Sequence, residues 1–277
     1  VSGALKLYRT AGGPVVEQDG GFVPLAEEWD ALVNRDGLAG HLERAAARGP
    51  RGVRLDDLLL APVAGQEIWG AGVTYERSRA ARLEESQAAG GASFYDRVYD
   101  AVRPELFFKC AGWRARGPGL AVRLRRDARW SVPEPELALV VNARGEIVGY
   151  TIGDDLSARD IEAENPLYLP QAKIWDGGCA VGPALLVREE PLPPETAITL
   201  RVLRAGAVAF EDGTTLARMK RTPAELVAYL YRETSFPAGC VLLTGTGIVP
   251  PAEFTLRPGD EIQIHVPAIG TLTNPVA

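Results

Sequence analysis

Five residues in the middle of this sequence have types and spacings that could do chemistry. Glu134 and Glu136 open the run "EPELALVV", Asp155 closes "IVGYTIGDD", and Arg159 and Lys173 follow. In an extended chain, positions two apart point the same way, so Glu134 and Glu136 project side by side from one face. Leu137, Leu139 and Val141 on one face, with Ala138 and Val140 on the other, mark a strand buried on both sides. Two carboxylates at the edge of a dry interior repel each other and lose hydration. Something positive is therefore expected between them.

The elements that must position these groups can be read from the turn residues. "NARGE" between two apolar runs predicts a β-hairpin. A loop of two or four residues places 132, 134 and 136 on the same face as 151, 153 and 155. Asp155 then becomes a diagonal neighbour of Glu134, with backbones roughly 7–8 Å apart. A three-residue loop reverses the parity. Three converging carboxylates suit a hard divalent cation held by oxygen, Mg²⁺ or Mn²⁺ most simply. The competing reading has the glutamates facing solvent and Asp155 capping the helix-like "SARDIEAEN". Two cations favour the site: Arg159, one helical turn beyond Asp155 on that reading, and Lys173, just before the glycine-rich "GGCAVGP".

Lysine is scarce: Lys6, Lys109, Lys173 and Lys220 stand against many arginines. Lysine can act as a proton-transfer base and arginine cannot, which singles out a lysine within a polar cluster. The two histidines, His41 and His265, are far apart, so a histidine-based metal site or triad is not expected. Cys110, Cys179 and Cys240 are too few and too dispersed for a disulfide framework or a zinc site, and they suggest buried thiols in a reducing cytoplasm.

The 277 residues are 46% hydrophobic and carry a formal net charge of −6, enough for a large core and without the basic balance of a nucleic-acid binder. No apolar run reaches the length of a membrane span, and "VSGALKLYRT" lacks the layout of a signal peptide. Residues 1–62 predict a small N-terminal α/β domain, with a hairpin followed by helices near 27–33 and 38–48. Residues 63–277 predict a strand-rich catalytic domain, with strands near 136–142, 146–152, 179–187, 197–203, 240–244, 261–266 and 270–275. Helical patterns there are confined to a polar stretch at 75–87, about 157–164 and 222–232. The polar helix and the following "AAGGAS" suggest a mobile lid over 75–93. The fold class expected is α+β and β-rich.

"EPELALVV", "GYTIGDDLSARDIE", the lysine before "AVGP", "LLTGT" and "IGTLTNPV" together resemble the fumarylacetoacetate hydrolase superfamily, in the same order and over roughly residues 64–277. The resemblance implies a mixed β-roll catalytic domain in which Glu134, Glu136 and Asp155 hold Mg²⁺, with Mn²⁺ or Ca²⁺ as alternatives. It also implies that Arg159 and Thr246 contact substrate, that Lys173 sits beside the metal-bound oxygen, and that the chain forms a homodimer or homotetramer. Hydrolases of the family commonly carry a histidine three residues after a tyrosine, where it activates water. Here "TYERS" places Ser78 there.

"WGAGVTYERSR", "YDRVYDAVRPELFFK" and "DDLSARDIEAENPLYLPQAKI" resemble one branch of that superfamily, a group of sugar-acid dehydratases. That likeness implies metal-dependent dehydration of a 2-keto-3-deoxy sugar acid, 2-keto-3-deoxy-D-arabinonate giving 2,5-dioxopentanoate. Chelation of a 2-keto acid would stabilise the enolate formed as the C3 proton leaves. A dication and Arg159 would favour the neutral amine of Lys173, the form that accepts this proton. Glu105, in "RPE", would help the C4 hydroxyl depart. The alternatives are hydrolysis of an acylpyruvate or a 2,4-diketo-3-deoxy sugar acid, decarboxylation of a 2-keto acid, and a non-catalytic metal- or metabolite-binding protein.

Overall fold

The computed structural model describes residues 4–49, 55, 59–86 and 97–277. Its strands, in chain order, are β1 (Lys6–Thr10), β2 (Gly13–Gln18), β3 (Gly21–Pro24), β4 (Glu67–Gly72), β5 (Glu105–Ala111), β6 (Ser131–Val132), β7 (Pro135–Val141) and β8 (Ile147–Asp155). There follow β9 (Ser157–Ala158), β10 (Cys179–Val187), β11 (Ala197–Arg204), β12 (Ala207–Thr215), β13 (Cys240–Leu243), β14 (Asp260–Val266) and β15 (Gly270–Pro275). The described residues build a nine-stranded sheet in the order β3-β2-β1-β10-β8-β7-β13-β4-β5 and a four-stranded sheet β12-β11-β14-β15. The large sheet is mixed, because β13 runs parallel to β4 while its other pairings are antiparallel.

The double-sided apolar pattern of β7 has a direct cause. Leu137 and Leu139, with Ile152 and Leu242, cluster with Leu200, Val202, Ile262 and Ile264 of the second sheet. Ala138 and Val140, with Val181 and Val241, cluster with Leu7, Leu32 and Leu42 from the N-terminal segment. Leu32 and Leu42 lie on the helices Trp29–Val33 and Leu38–Arg48, so the central strands are covered by a sheet on one side and helices on the other. The N-terminal strands join the large sheet through pairing of β1 with β10. Part of the 1–62 unit expected from the sequence (residues 1–3, 50–54 and 56–58) lies outside the described residues.

Two elements differ from expectation for physical reasons. The strand β12 escapes periodicity because it is a sheet edge that is mostly exposed along its length, so neither face selects apolar residues. A helix at Leu169–Lys173 adds to those expected; it is short and opens with proline at its first turn, where the missing N–H costs nothing. The polar helix is present as Glu76–Ser86, while residues 87–93 of the expected lid lie outside the described residues. No described helix is long and apolar enough to cross a membrane.

Candidate metal and acid–base site

The hairpin that carries the carboxylates arrives at the right face by an unexpected route. Gly145 N–H donates to Asn142 O at 3.0 Å and Asn142 N–H to Glu146 O at 2.9 Å, leaving a three-residue loop, Ala143–Gly145. Alone, that loop would reverse the parity. A β-bulge corrects it: Val141 pairs with Ile147 but Val140 pairs with Gly149, so Val148 is the extra residue. Beyond the bulge Glu136 faces Gly153. Asp155 therefore lies directly opposite Glu134, its N–H donating to Glu134 O at 3.0 Å, rather than on the diagonal.

Glu134, Glu136 and Asp155 are all buried and each offers a carboxylate oxygen within 4.8 Å of the others. Pro135 between the glutamates is the first residue of β7, where its lack of an N–H is tolerated. The N–H of Glu134 is taken by the side chain of Asp154 at 3.1 Å. Burial pushes the Asp154 carboxyl up to about 8, so at neutral pH it is largely neutral and adds little to the negative charge.

Positive charge reaches this cluster from side chains. Lys173 Nζ donates to Glu134 Oε2 at 2.9 Å, to Asp155 Oδ2 at 3.0 Å and to Ser157 Oγ at 2.5 Å. Arg159 Nη2 lies 2.9 Å from Glu134 Oε1. Lys109 Nζ lies 2.5 Å from Asp155 Oδ1 and donates to the carbonyls of Leu156 (2.9 Å) and Lys173 (2.6 Å). Three buried cations therefore stand around the carboxylates: Arg159 and Lys173, which the sequence singled out, and Lys109, to which it gave no role. The link from Asp155 to Arg159 also differs from one helical turn. β8 ends at Asp155, β9 intervenes, and the helix starts at Arg159, which meets Glu134.

Lys109 is the main residue the sequence reading passed over. Its signal was a lysine inside the apolar strand "ELFFKCA", a place a charge occupies only with partners. The backbone N–H of Gly245 also escaped notice; it donates to Glu136 Oε2 at 2.5 Å. Gly245 has φ +89°, and a Cβ there would lie 2.0 Å from Thr74 Oγ1, so the approach of this N–H needs glycine.

The seven residues named from the sequence all line one cavity: Glu105, Glu134, Glu136, Asp155, Arg159, Lys173 and Thr246. Ser78, Phe107 and Glu162 share its wall. Glu105 begins β5 opposite Gly72, where a Cβ would come within 2.2 Å of Glu105 Oε2. Thr246 is present, with its hydroxyl turned to its own loop through Ile248 N (3.1 Å) and O (3.2 Å). Neither histidine lines the cavity; His41 pairs with Glu27 and His265 with Thr271. Cys110, Cys179 and Cys240 are buried free thiols.

Glu136 shows what the cluster lacks. Burial first, then Asp155 and Glu134, raise its pKa well above the ordinary carboxylate value, while the Gly245 N–H and Lys173 oppose this. Its proton is thus retained to higher pH in the fold than in the unfolded chain. As pH rises through the unfolded carboxylate value the unfolded state loses that proton first, so the metal-free fold is penalised at neutral pH. Glu136→Gln should consequently raise the melting temperature of the metal-free protein at pH 7–8, by about 2–4 °C for each kcal/mol relieved. It should also weaken Mn²⁺ binding. A thermal melt in chelator that moved downward would contradict this account of Glu136.

Comparison with known proteins gives concordant results. A family model described as "Fumarylacetoacetate (FAA) hydrolase C-terminal" matches residues 68–277. The chain is 46% identical over 217 residues to the 2-dehydro-3-deoxy-D-arabinonate dehydratase of Saccharolobus solfataricus, covering 78% of this chain and 73% of that protein. It is 48% identical over 216 residues, with the same coverage, to a Haloferax volcanii protein named "Probable 2-keto-3-deoxyxylonate dehydratase". Its fold matches a crystal form of 2-keto-3-deoxyarabinonate dehydratase with a TM-score of 0.86 and 38% identity, covering 99% of this chain and 98% of that one. A structure of 2-keto-3-deoxy-D-arabinonate dehydratase complexed with magnesium and 2,5-dioxopentanoate matches with a TM-score of 0.83 and 35% identity, over 98% of each chain.

Proposed function

The chain belongs to the fumarylacetoacetate hydrolase family, and we propose that it dehydrates 2-keto-3-deoxy-D-arabinonate to 2,5-dioxopentanoate. It is an enzyme of the hydro-lyase type, as its similarity to sugar-acid dehydratases indicates. The relatives' names point to arabinonate and xylonate, which need not be two substrates. Pentonates of one series that differ only at C2 and C3 lose both stereocentres on becoming the 2-keto-3-deoxy acid. Only C4 remains, and D-arabinonate and D-xylonate share it.

The observation that carries the proposal is the position of Lys173 Nζ within hydrogen-bond distance of two of three clustered carboxylates. The donor set fits a hard cation: buried carboxylate oxygens, with the carboxyl of Glu136 holding its proton unusually firmly because it is buried beside two like charges. Glu134, Glu136 and Asp155 would hold magnesium, which when bound supplies Lewis-acid polarisation of the 2-keto group and offsets the negative charge developing as C3 is deprotonated. Lys173 takes the C3 proton. Arg159, paired to Glu134, holds the anionic end of the substrate beside the carboxylates. Glu105 gives a proton to the C4 hydroxyl, which leaves as water. A proton shift from C5 to C3 then gives the C4=C5 enol, and transfer of that enol's hydroxyl proton to C4 makes C5 the aldehyde, so the net change is loss of one water.

Ser78 favours elimination over hydrolysis. It stands where the family's hydrolases commonly carry a histidine, and its hydroxyl donates to Tyr75 O at 2.7 Å. A serine so engaged is a poor substitute for a water-activating imidazole. With Mg²⁺ and a panel of 2-keto-3-deoxy aldonates and acylpyruvates, product mass should show loss of one water from the C5 acid. Cleavage of acylpyruvates at the higher rate would reverse the assignment. A homodimer or homotetramer belongs to the same proposal, from family resemblance, and light scattering tests it.

A further inference from the structure

We infer that Ser157 is a positioning residue for Lys173, fixing the direction of its amine once the carboxylates are engaged by a cation. This rests on the proposal that Lys173 accepts the C3 proton. Lys173 Nζ donates to Glu134, Asp155 and Ser157, of which Glu134 and Asp155 belong to the carboxylate cluster and Ser157 does not. A cation bound by the cluster competes with Lys173 for Glu134 and Asp155. The contact to Ser157, the shortest of the three at 2.5 Å, is outside that competition.

Towards Lys173 the serine is built to accept. Its hydroxyl proton goes to the main-chain oxygen of Asp155 at 3.0 Å, which leaves the oxygen lone pairs for Lys173. Ser157 is fully buried, and its backbone is held in β9 by the pairing of Val132 with Ser157 and of Ser131 with Ala158. Both ends of the contact are anchored, since Lys109 donates to the carbonyl oxygens of Leu156 and Lys173. A neutral amine that gives one N–H to Ser157 keeps that direction for a hydrogen, so its lone pair is confined to the other two staggered positions. Without that acceptor it can rotate about its last bond, and the fraction of time spent aimed at C3 falls.

Four variants test this: Ser157→Ala, Ser157→Thr, Lys173→Arg and the double change Ser157→Ala with Lys173→Arg. Ser157→Ala should lower kcat, and exchange of C3 protons with deuterated solvent, by about 10- to 100-fold, the usual cost of a misaimed catalytic group. KM and the affinity of the metal-free protein for Mn²⁺ should stay within about twofold, because no cluster carboxylate is touched. Ser157→Thr should recover most of the rate; if its methyl group lowers the melting temperature, Ser157→Cys replaces it and should behave like alanine, since a thiol accepts weakly. In the Lys173→Arg background, Ser157→Ala should cause no further loss. Wild-type kcat in Ser157→Ala or Ser157→Cys, an equal extra loss in the Lys173→Arg background, or a fall in Mn²⁺ affinity in step with kcat would each overturn the inference. Full C3 exchange in Lys173→Arg alone would instead overturn the underlying role of Lys173.

Discussion

Exhaustive chelation should abolish turnover, and Mg²⁺ or Mn²⁺ should restore it. Lys173 donates to Glu134 and Asp155, while Glu136 has burial and two like charges against its ionisation. With the cation chelated, the amine would stay occupied as a counter-ion and the keto group of a substrate would find no centre to polarise it. Loss of Lewis-acid assistance forfeits several kcal/mol of barrier lowering, a change of thousands-fold or more. Mn²⁺ binding should release protons, because Glu136 gives up its raised-pKa proton, and affinity should fall as pH is lowered through that value. Calorimetry in buffers of different ionisation enthalpy reads the proton release directly. Full turnover in a sample verified free of divalent metal would remove the cation from the proposed mechanism.

How much of this was legible beforehand depends on the physical range of each signal. The strand period of two placed Glu134 and Glu136 on one face, and the pairing of apolar runs around "NARGE" brought Asp155 to them. Those are local signals, and the three carboxylates do converge. The bulge at Val148 was invisible because it is set by packing against neighbouring strands, and the loop by itself implied the opposite parity. Lys109 was noticed as one of few lysines yet given no role. Its partners Asp155, Leu156 and Lys173 are distant in sequence, and three strands lie between β5 and β8 in the sheet, so no local pattern links them. β12 left no period at all because an exposed edge buries neither face. The resemblance between sequences supplied what pattern could not, namely the roles assigned to Glu105 and Thr246. The structure places both in the cavity wall without by itself giving either a task.

Lys173→Arg should lower turnover by roughly two to four orders of magnitude, the worth of a general base. Arginine keeps the positive charge and can reach Glu134 and Asp155, so it preserves whatever Lys173 contributes as a counter-ion. It loses the ability to be a neutral acceptor, since a guanidinium stays protonated. The two possible duties of the residue are thereby separated. If Lys173 serves for charge balance, a sizeable part of the activity survives the substitution. If it removes the C3 proton, exchange of C3 hydrogens with deuterated solvent falls together with kcat, and Mn²⁺ affinity stays near wild type. Lys173 is buried, and the longer side chain has to fit a closed space, so a melting curve must accompany the assay. Lys173→Met provides a control that loses both the charge and the base. A charge-balancing lysine predicts that arginine rescues what methionine destroys, whereas a proton-accepting lysine predicts that both are equally inactive towards C3. C3 exchange retained at the wild-type rate in a folded Lys173→Arg protein would transfer the base to Glu105 or to a water held in the cavity.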